Sequence, residues 1–252
     1  STPFRLTGSS TDVDGTSSHT YTWEQFDLGS AGIPTETTEF GPMVRSFQGT
    51  PNPVRYLPKL QDVLANGGNS TTWEKLASVG RVLNFVLTVR DNDARGGQTA
   101  VDNMAVTTIA AAGPFKVTSQ TSNVTWEIGS TKTVTWDVAN TNMSPINAAN
   151  VNIRLSIDGG VTFPYTLASN VPNNGAYEVL VPQVTNTNTA RIMVESVGNI
   201  FYNVNTSNFK IISVDYLLNF TTPSVTVCQP DDNAVYDFIY NTFGGYTQNT
   251  IF

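Results

Sequence analysis

The chain is poor in the residues from which most catalytic and metal centres are built. Its 252 residues include one cysteine, Cys228, and one histidine, His19. A single thiol excludes an intrachain disulfide and a multi-cysteine zinc site, and a single imidazole excludes any centre needing two. Charged residues amount to 13%, about half the usual ~25%. Basic residues are the scarcer kind, 13 against 20 acidic, for a net charge of −7. A protein that tracks phosphates needs clustered Lys and Arg, so no nucleic-acid partner is expected. No apolar run approaches the ~18 residues of a membrane span. Ala, Glu, Lys and Leu are too scarce for a long helix or coiled coil. His-Glu-x-x-His, Gly-x-Ser-x-Gly, Walker and dinucleotide-binding motifs are all missing. The opening, Ser1-Thr2-Pro3-Phe4, has neither initiator Met nor signal peptide, which reads as a piece of a longer parent.

What is present is Thr, Ser and Asn in abundance, with 13 Phe, 9 Tyr and 4 Trp, a mixture that excludes a disordered chain. Alternation with period 2 recurs. Over 131–138, Val134, Trp136 and Val138 share one face while Thr133, Thr135 and Asp137 share the other. The same pattern appears in 151–157, 177–181, 192–194, 83–89 and 104–108. Breakers lie between these runs: Asp-Gly-Gly at 158–160, Asn-Asn-Gly at 173–175, Gly-Gly at 96–97, and many prolines. Short strands at ~8–12-residue spacing indicate an all-β fold of antiparallel β-sandwiches. The small-residue stretch 110–114 and the region near 213–215 mark two boundaries. The expected units are a sandwich over 1–110, a second over 114–213, and the first strands of a third module over 215–252. Strands are expected at 216–220, 224–228 and 234–240. Within the first unit, 28–81 is a long insertion with one helix candidate, Leu57–Leu64.

Acidic turns carry the main chemical signal. Asp12-Val13-Asp14-Gly15 and Asp91-Asn92-Asp93 lie at strand ends, and Asp102 follows on the next strand. Calcium takes six to eight oxygen ligands in flexible geometry, so Asp12, Asp14, Asp91, Asp93 and Asp102 form an expected calcium set if one pole gathers them. Asp and Asn also dominate turns by bonding their own backbone. His19 sits in a Ser-Ser-His-Thr turn and is expected to be solvated. Cys228 ends an apolar strand and reads as a buried thiol. Glu24, Asp27, Glu36 and Glu39 are close in sequence, but nothing sets the separation that glycoside hydrolysis needs. Trp23 and Trp136 fall on apolar strand faces and read as core. Trp73, in the insertion, is the candidate for a ligand. The five Asn-x-Ser/Thr sequons (Asn69, Asn123, Asn142, Asn205, Asn219) are about what chance supplies in so Asn-rich a chain.

Longer blocks carry a resemblance. Phe4-Arg5-Leu6-Thr7-Gly8-Ser9-Ser10-Thr11-Asp12-Val13-Asp14-Gly15, with Tyr21-Thr22-Trp23-Glu24-Gln25, resembles the opening of PKD-like and cadherin-like bacterial surface domains. Leu83-Asn84-Phe85-Val86-Leu87-Thr88-Val89-Arg90-Asp91-Asn92 is similar to their closing hairpin. Gly41-Pro42-Met43-Val44-Arg45-Ser46-Phe47 and Arg55-Tyr56-Leu57-Pro58-Lys59-Leu60 precede Val134-Thr135-Trp136-Asp137-Val138. Then come Ser156-Ile157-Asp158-Gly159-Gly160-Val161-Thr162-Phe163-Pro164, Ala190-Arg191-Ile192-Met193-Val194-Glu195, Gly198-Asn199-Ile200-Phe201-Tyr202 and Asn208-Phe209. In that order the blocks resemble the non-catalytic region of secreted, reprolysin-like zinc metallopeptidases of Bacteroidetes-type bacteria. The resemblance implies a PKD-like sandwich followed by an Ig/fibronectin-like one. It also implies a secreted or cell-surface parent, often exported by the type IX route, whose peptidase domain is a partner in the same chain. This stretch itself has no zinc motif, so no catalytic residue carries over. The expected role is a spacer that also recognises a protein or glycan surface. The alternative is a stand-alone extracellular adhesin or carbohydrate-binding sandwich.

Overall fold

The computed structural model describes residues 1–29, 32–213, 216–221 and 237–242. Cys228, the strand expected over 224–228 and the start of that over 234–240 lie outside them. The fold is all-β, as the alternation requires. The first strands are β1 (Phe4–Thr7), β2 (Thr20–Gln25), β3 (Val54–Leu57), β4 (Arg81–Arg90) and β5 (Thr99–Thr108), with one helix, α1 (Leu60–Asn66). β1 pairs with β3, and β2-β4-β5 form a second sheet, antiparallel throughout. Leu83, Phe85 and Leu87 of β4 alternate into the space between them. There they meet Phe4, Leu6, Trp23 and Leu57, and the Phe4 and Phe85 rings pack edge to face at 6.0 Å.

The next strands are β6 (Lys116–Val117), β7 (Thr125–Glu127), β8 (Thr131–Asp137), β9 (Asn150–Ser156), β10 (Tyr165–Pro172), β11 (Ala176–Leu180), β12 (Thr187–Ser196), β13 (Tyr202–Val204) and β14 (Phe209–Ile212). One sheet runs β10-β9-β12-β14-β7, with β13 also on β12, and the other runs β11-β8-β6. Val134 and Trp136 face Ile153, Leu155, Ile192 and Phe209 across the space between the sheets. Trp126 and Trp136 are core residues; the indole N–H of Trp136 donates to Asn173 Oδ1 (2.8 Å), so burial leaves no orphaned donor. β15 (Tyr216–Phe220) pairs with β16 (Phe238–Thr242).

The helix lies at Leu60–Asn66, starting three residues and ending two residues later than Leu57–Leu64. Leu57 precedes a proline, which disfavours helical backbone there, and it is instead sealed in β3 opposite Phe4. Gly67, in left-handed conformation (φ 61°), ends the helix. The 28–81 insertion is largely structured. Arg55 binds Glu74 (3.0 Å), whose other oxygen accepts the Lys59 N–H (2.8 Å). Arg81 reaches the carbonyls of Thr38 (2.8 Å) and Gly41 (2.7 Å). A Cβ on Gly29 would lie 2.4 Å from Gly41 Cα, so the chain crosses itself there at glycine and closes a loop.

The two sandwiches meet in a buried junction. The Arg5 N–H donates to the Ile200 carbonyl (2.9 Å) and the Tyr202 N–H to that of Pro3 (3.0 Å). Glu195 of β12, 4% exposed, accepts from Arg5 (2.9 Å) and from Arg154. Helix α1 adds Leu60 and Val63 to a cluster with Met193, Tyr202 and Val204. The Tyr202 ring packs edge to face on Tyr56 at 5.2 Å, and its hydroxyl has no partner among the described residues. Removing the ring should cost ~3–5 kcal/mol through the cavity left behind, whereas removing only an unsatisfied hydroxyl relieves a penalty of ~1–3 kcal/mol. Chemical denaturation of Tyr202→Ala is therefore expected to show a large loss, with fluorescence from both sandwiches shifting together. Tyr202→Phe should be neutral or stabilising; a loss as large as that of Ala would refute this packing.

The Asp-Gly-Gly turn makes a pH prediction. Burial pushes the Asp158 carboxyl up, but hydrogen bonds from Ser156 and Thr162 outweigh it and hold the group from 3.8 down to about 2. A depressed carboxylate stabilises the fold fully above the unfolded value and loses that contribution as pH falls through the folded one. Asp158→Asn should thus lower the Tm at neutral pH, with the difference vanishing as the pH falls toward about 2. A difference independent of pH would contradict it.

Candidate functional site

Four of the five expected calcium residues converge. The segment between β1 and β2 brings Asp12 and Asp14 against the β4–β5 turn that carries Asp91 and Asp93, around a depression of about 240 Å³. Asp102 does not join them: it sits within β5, opposite Leu87. The residue that completes the pole is Arg95. Its guanidinium donates to Asp14 (2.6 Å) and Asp93 (2.7 Å), and its backbone N–H to Asp93 Oδ1 (2.7 Å). These bonds hold the Asp93 carboxyl below its ordinary value and raise Arg95. Asp12 is likewise held low, first by its hydrogen bond with Asp14. An arginine two residues after Asp93 was the signal in the sequence, since that spacing lets it fold back on the turn.

The remaining donors are Asp12, Asp91 and His19, all within 4.8 Å of one another. His19 is buried (4% exposed), not solvated: Ser10 Oγ lies 2.7 Å from Nδ1 and Asp12 Oδ2 3.4 Å from Nε2, with Tyr21 OH 2.6 Å beyond the serine. The alternation of the strands could not show this, because the covering comes from an irregular segment folding over the ring.

Calcium does not fit this pole as it stands. Two of the four carboxylates are bound by a guanidinium that occupies the place of a cation, and the third close donor is an imidazole nitrogen where calcium takes oxygen. The pole is an acidic cluster in which one arginine bridges two of the four carboxylates.

Elsewhere, Trp73 is 54% exposed, but Arg45 lies over its ring at 5.7 Å. Phe47 alongside carries Lys59 at 3.6 Å and Arg55 at 5.0 Å, so these aromatic faces are already matched by cations. Asp27 is fixed structurally, accepting from Gln25 (2.5 Å) and Asn84 (2.6 Å), while Glu36 and Glu39 are exposed. Phe26, just after β2, and Leu28, Ile33 and Phe40 of the insertion are exposed.

Binding to the folded state raises stability by mass action, so an ion at the pole would be visible in thermal melts. The Tm is expected to coincide in EGTA and in millimolar Ca²⁺ for the wild type. Arg95→Ala, which frees Asp14 and Asp93, is expected to introduce a calcium-dependent rise. A rise of several degrees in the wild type would show that the ion displaces the arginine.

No protein-family model matches the chain, and no curated protein matches it.

Proposed function

We propose that this chain is the non-catalytic accessory region of a secreted or cell-surface bacterial zinc metallopeptidase, serving as a stiff spacer that also recognises a surface. The observation that carries the reading is the junction. Successive sandwiches joined by a free linker move independently, whereas here β1 hydrogen-bonds to the loop before β13 and Arg5 is ion-paired to a buried Glu195. That construction holds a terminal module at a set distance. Buried acids in the described residues are engaged in ion pairs, Glu74 with Arg55 and Glu195 with Arg5 and Arg154, which supports a structural role for them. The exposed apolar side chains of Phe26, Leu28, Ile33 and Phe40 offer a contact surface.

The stand-alone adhesin reading differs in the parent gene: an array of similar sandwiches would replace an upstream His-Glu-x-x-His domain. Two measurements test the proposal. The purified 252-residue chain is expected to cleave nothing on peptide and glycan panels, with or without Zn²⁺. Sequencing the parent gene should reveal the zinc motif before Ser1. Turnover by the isolated chain, or a parent without that motif, would sink it.

A further inference from the structure

Strand β5 is an unprotected sheet edge. It pairs with β4 in unbroken register from Arg90↔Thr99 to Arg81↔Thr108, and among the described residues no strand lies on its other side. Proteins blunt such edges with shortness, bulges, proline, lysine or a cover. Most other edges among the described residues of the two sandwiches have these devices; β3 and β11 are edges too, but at four and five residues they are much shorter than β5. β10 is bulged and ends in a proline, β6 and β7 are very short, β2 is bridged by Thr50, and β1 is covered by Phe201. β5 runs ten residues, Thr-Ala-Val-Asp-Asn-Met-Ala-Val-Thr-Thr, with no Gly, Pro or Lys.

The unused backbone groups can be located. The Asp91 N–H bonds the Gln98 carbonyl, which turns the even-numbered residues toward β4. Thr99, Val101, Asn103, Ala105 and Thr107 therefore turn their N–H and C=O groups outward. Of these, the Asn103 N–H is bonded by Asp102 Oδ1 (2.8 Å). Beside this edge run two troughs of about 660 and 370 Å³ that meet at Met104. Every residue from Gln98 to Ile109 lines one or the other. Their walls include Trp23, Leu87, Val89, Leu76 and Val106, apolar residues at the open seam of the core. The alternation of β5 puts Asp102 on the same face as Met104 and Val106, and it lines the larger trough, as Asp12 and Asp91 do, so that trough is acidic as well as partly apolar.

We infer that β5 is a docking edge for an extended segment of another polypeptide, one that alternates apolar and polar residues and carries a Lys or Arg facing Asp102. Backbone pairing along the outward groups supplies affinity, apolar side chains fill the troughs, and the cation meets the acidic seam. Charge decides against a second copy of this chain. Its β5 holds no cation, it would bring its own Asp102, and each copy carries −7. The inference goes beyond the spacer reading and stands independently of it, because peptide binding is measured without reference to hydrolysis or to the parent gene.

The test uses the whole chain and a fluorescein-labelled peptide, Thr-Val-Thr-Lys-Thr-Val-Thr-Val-Thr, with counterparts bearing Glu or Pro in place of Lys. Saturable binding of the Lys peptide is expected, together with slowed amide exchange at Val101, Ala105 and Thr107. Val101→Pro removes an outward N–H while keeping the β4 ladder, so it should abolish binding with the circular dichroism unchanged. Asp102→Lys should weaken the Lys peptide about tenfold or more and favour the Glu peptide. No saturable binding at millimolar peptide, equal binding of the Lys and Glu peptides, or protection of β5 by concentration-dependent self-association would each overturn the proposal.

Discussion

The structure turns on a buried carboxylate. Glu195 lies within β12, the central strand of the second sandwich, and its charge is met by Arg154 from β9 and Arg5 from β1. Isolated in the interior, that charge would be costly, and removing either arginine would leave it partly uncompensated. β1 is therefore tied to both sandwiches. Its even positions, Phe4 and Leu6, fill the first core while Arg5 on its other face closes the second. The pairing of β1 with β3 then fixes where α1 begins, and α1 supplies the apolar wedge against Tyr202 and Met193. Strand, helix and junction follow from one strand whose two faces serve different cores.

Arginine recurs wherever this acidic chain gathers charge. Arg55 holds the buried Glu74 and the carbonyl of Arg45, Arg81 ties the insertion to β4, and Arg95 spans two turns. Each uses the guanidinium's several donors at fixed angles, which a lysine could not reproduce. The exposed Arg95 pairs contribute little to stability because solvent screens them. Their effect is positional: they define what the acidic pole presents.

Much of the architecture was legible because period-2 alternation is local. Val134-Thr-Trp136 and Leu83-Asn-Phe85 declare their buried faces without reference to anything distant. β10 escaped because its two register shifts break the alternation. The convergence of Asp12, Asp14, Asp91 and Asp93 followed from strand ends meeting at one pole. That Arg95 fills it and that Asp102 stands apart depended on side-chain reach and on register, neither of which the spacing of carboxylates encodes. The burial of His19 and the junction at Tyr202 were hidden for the same reason: their partners lie far along the chain or in irregular segments.

The crossing of Gly29 and Gly41 has its own consequence. Because the backbones touch there, the chain between them is closed off at a neck, and its length no longer bears on how β2 connects to the rest of the insertion. Closing a longer loop costs only ~0.6 kcal/mol per doubling of length. The neck thus lets the chain between the two glycines change length or sequence with the sheet registers kept, so long as the carbonyls at 36 and 38 still reach Ser78 and Arg81.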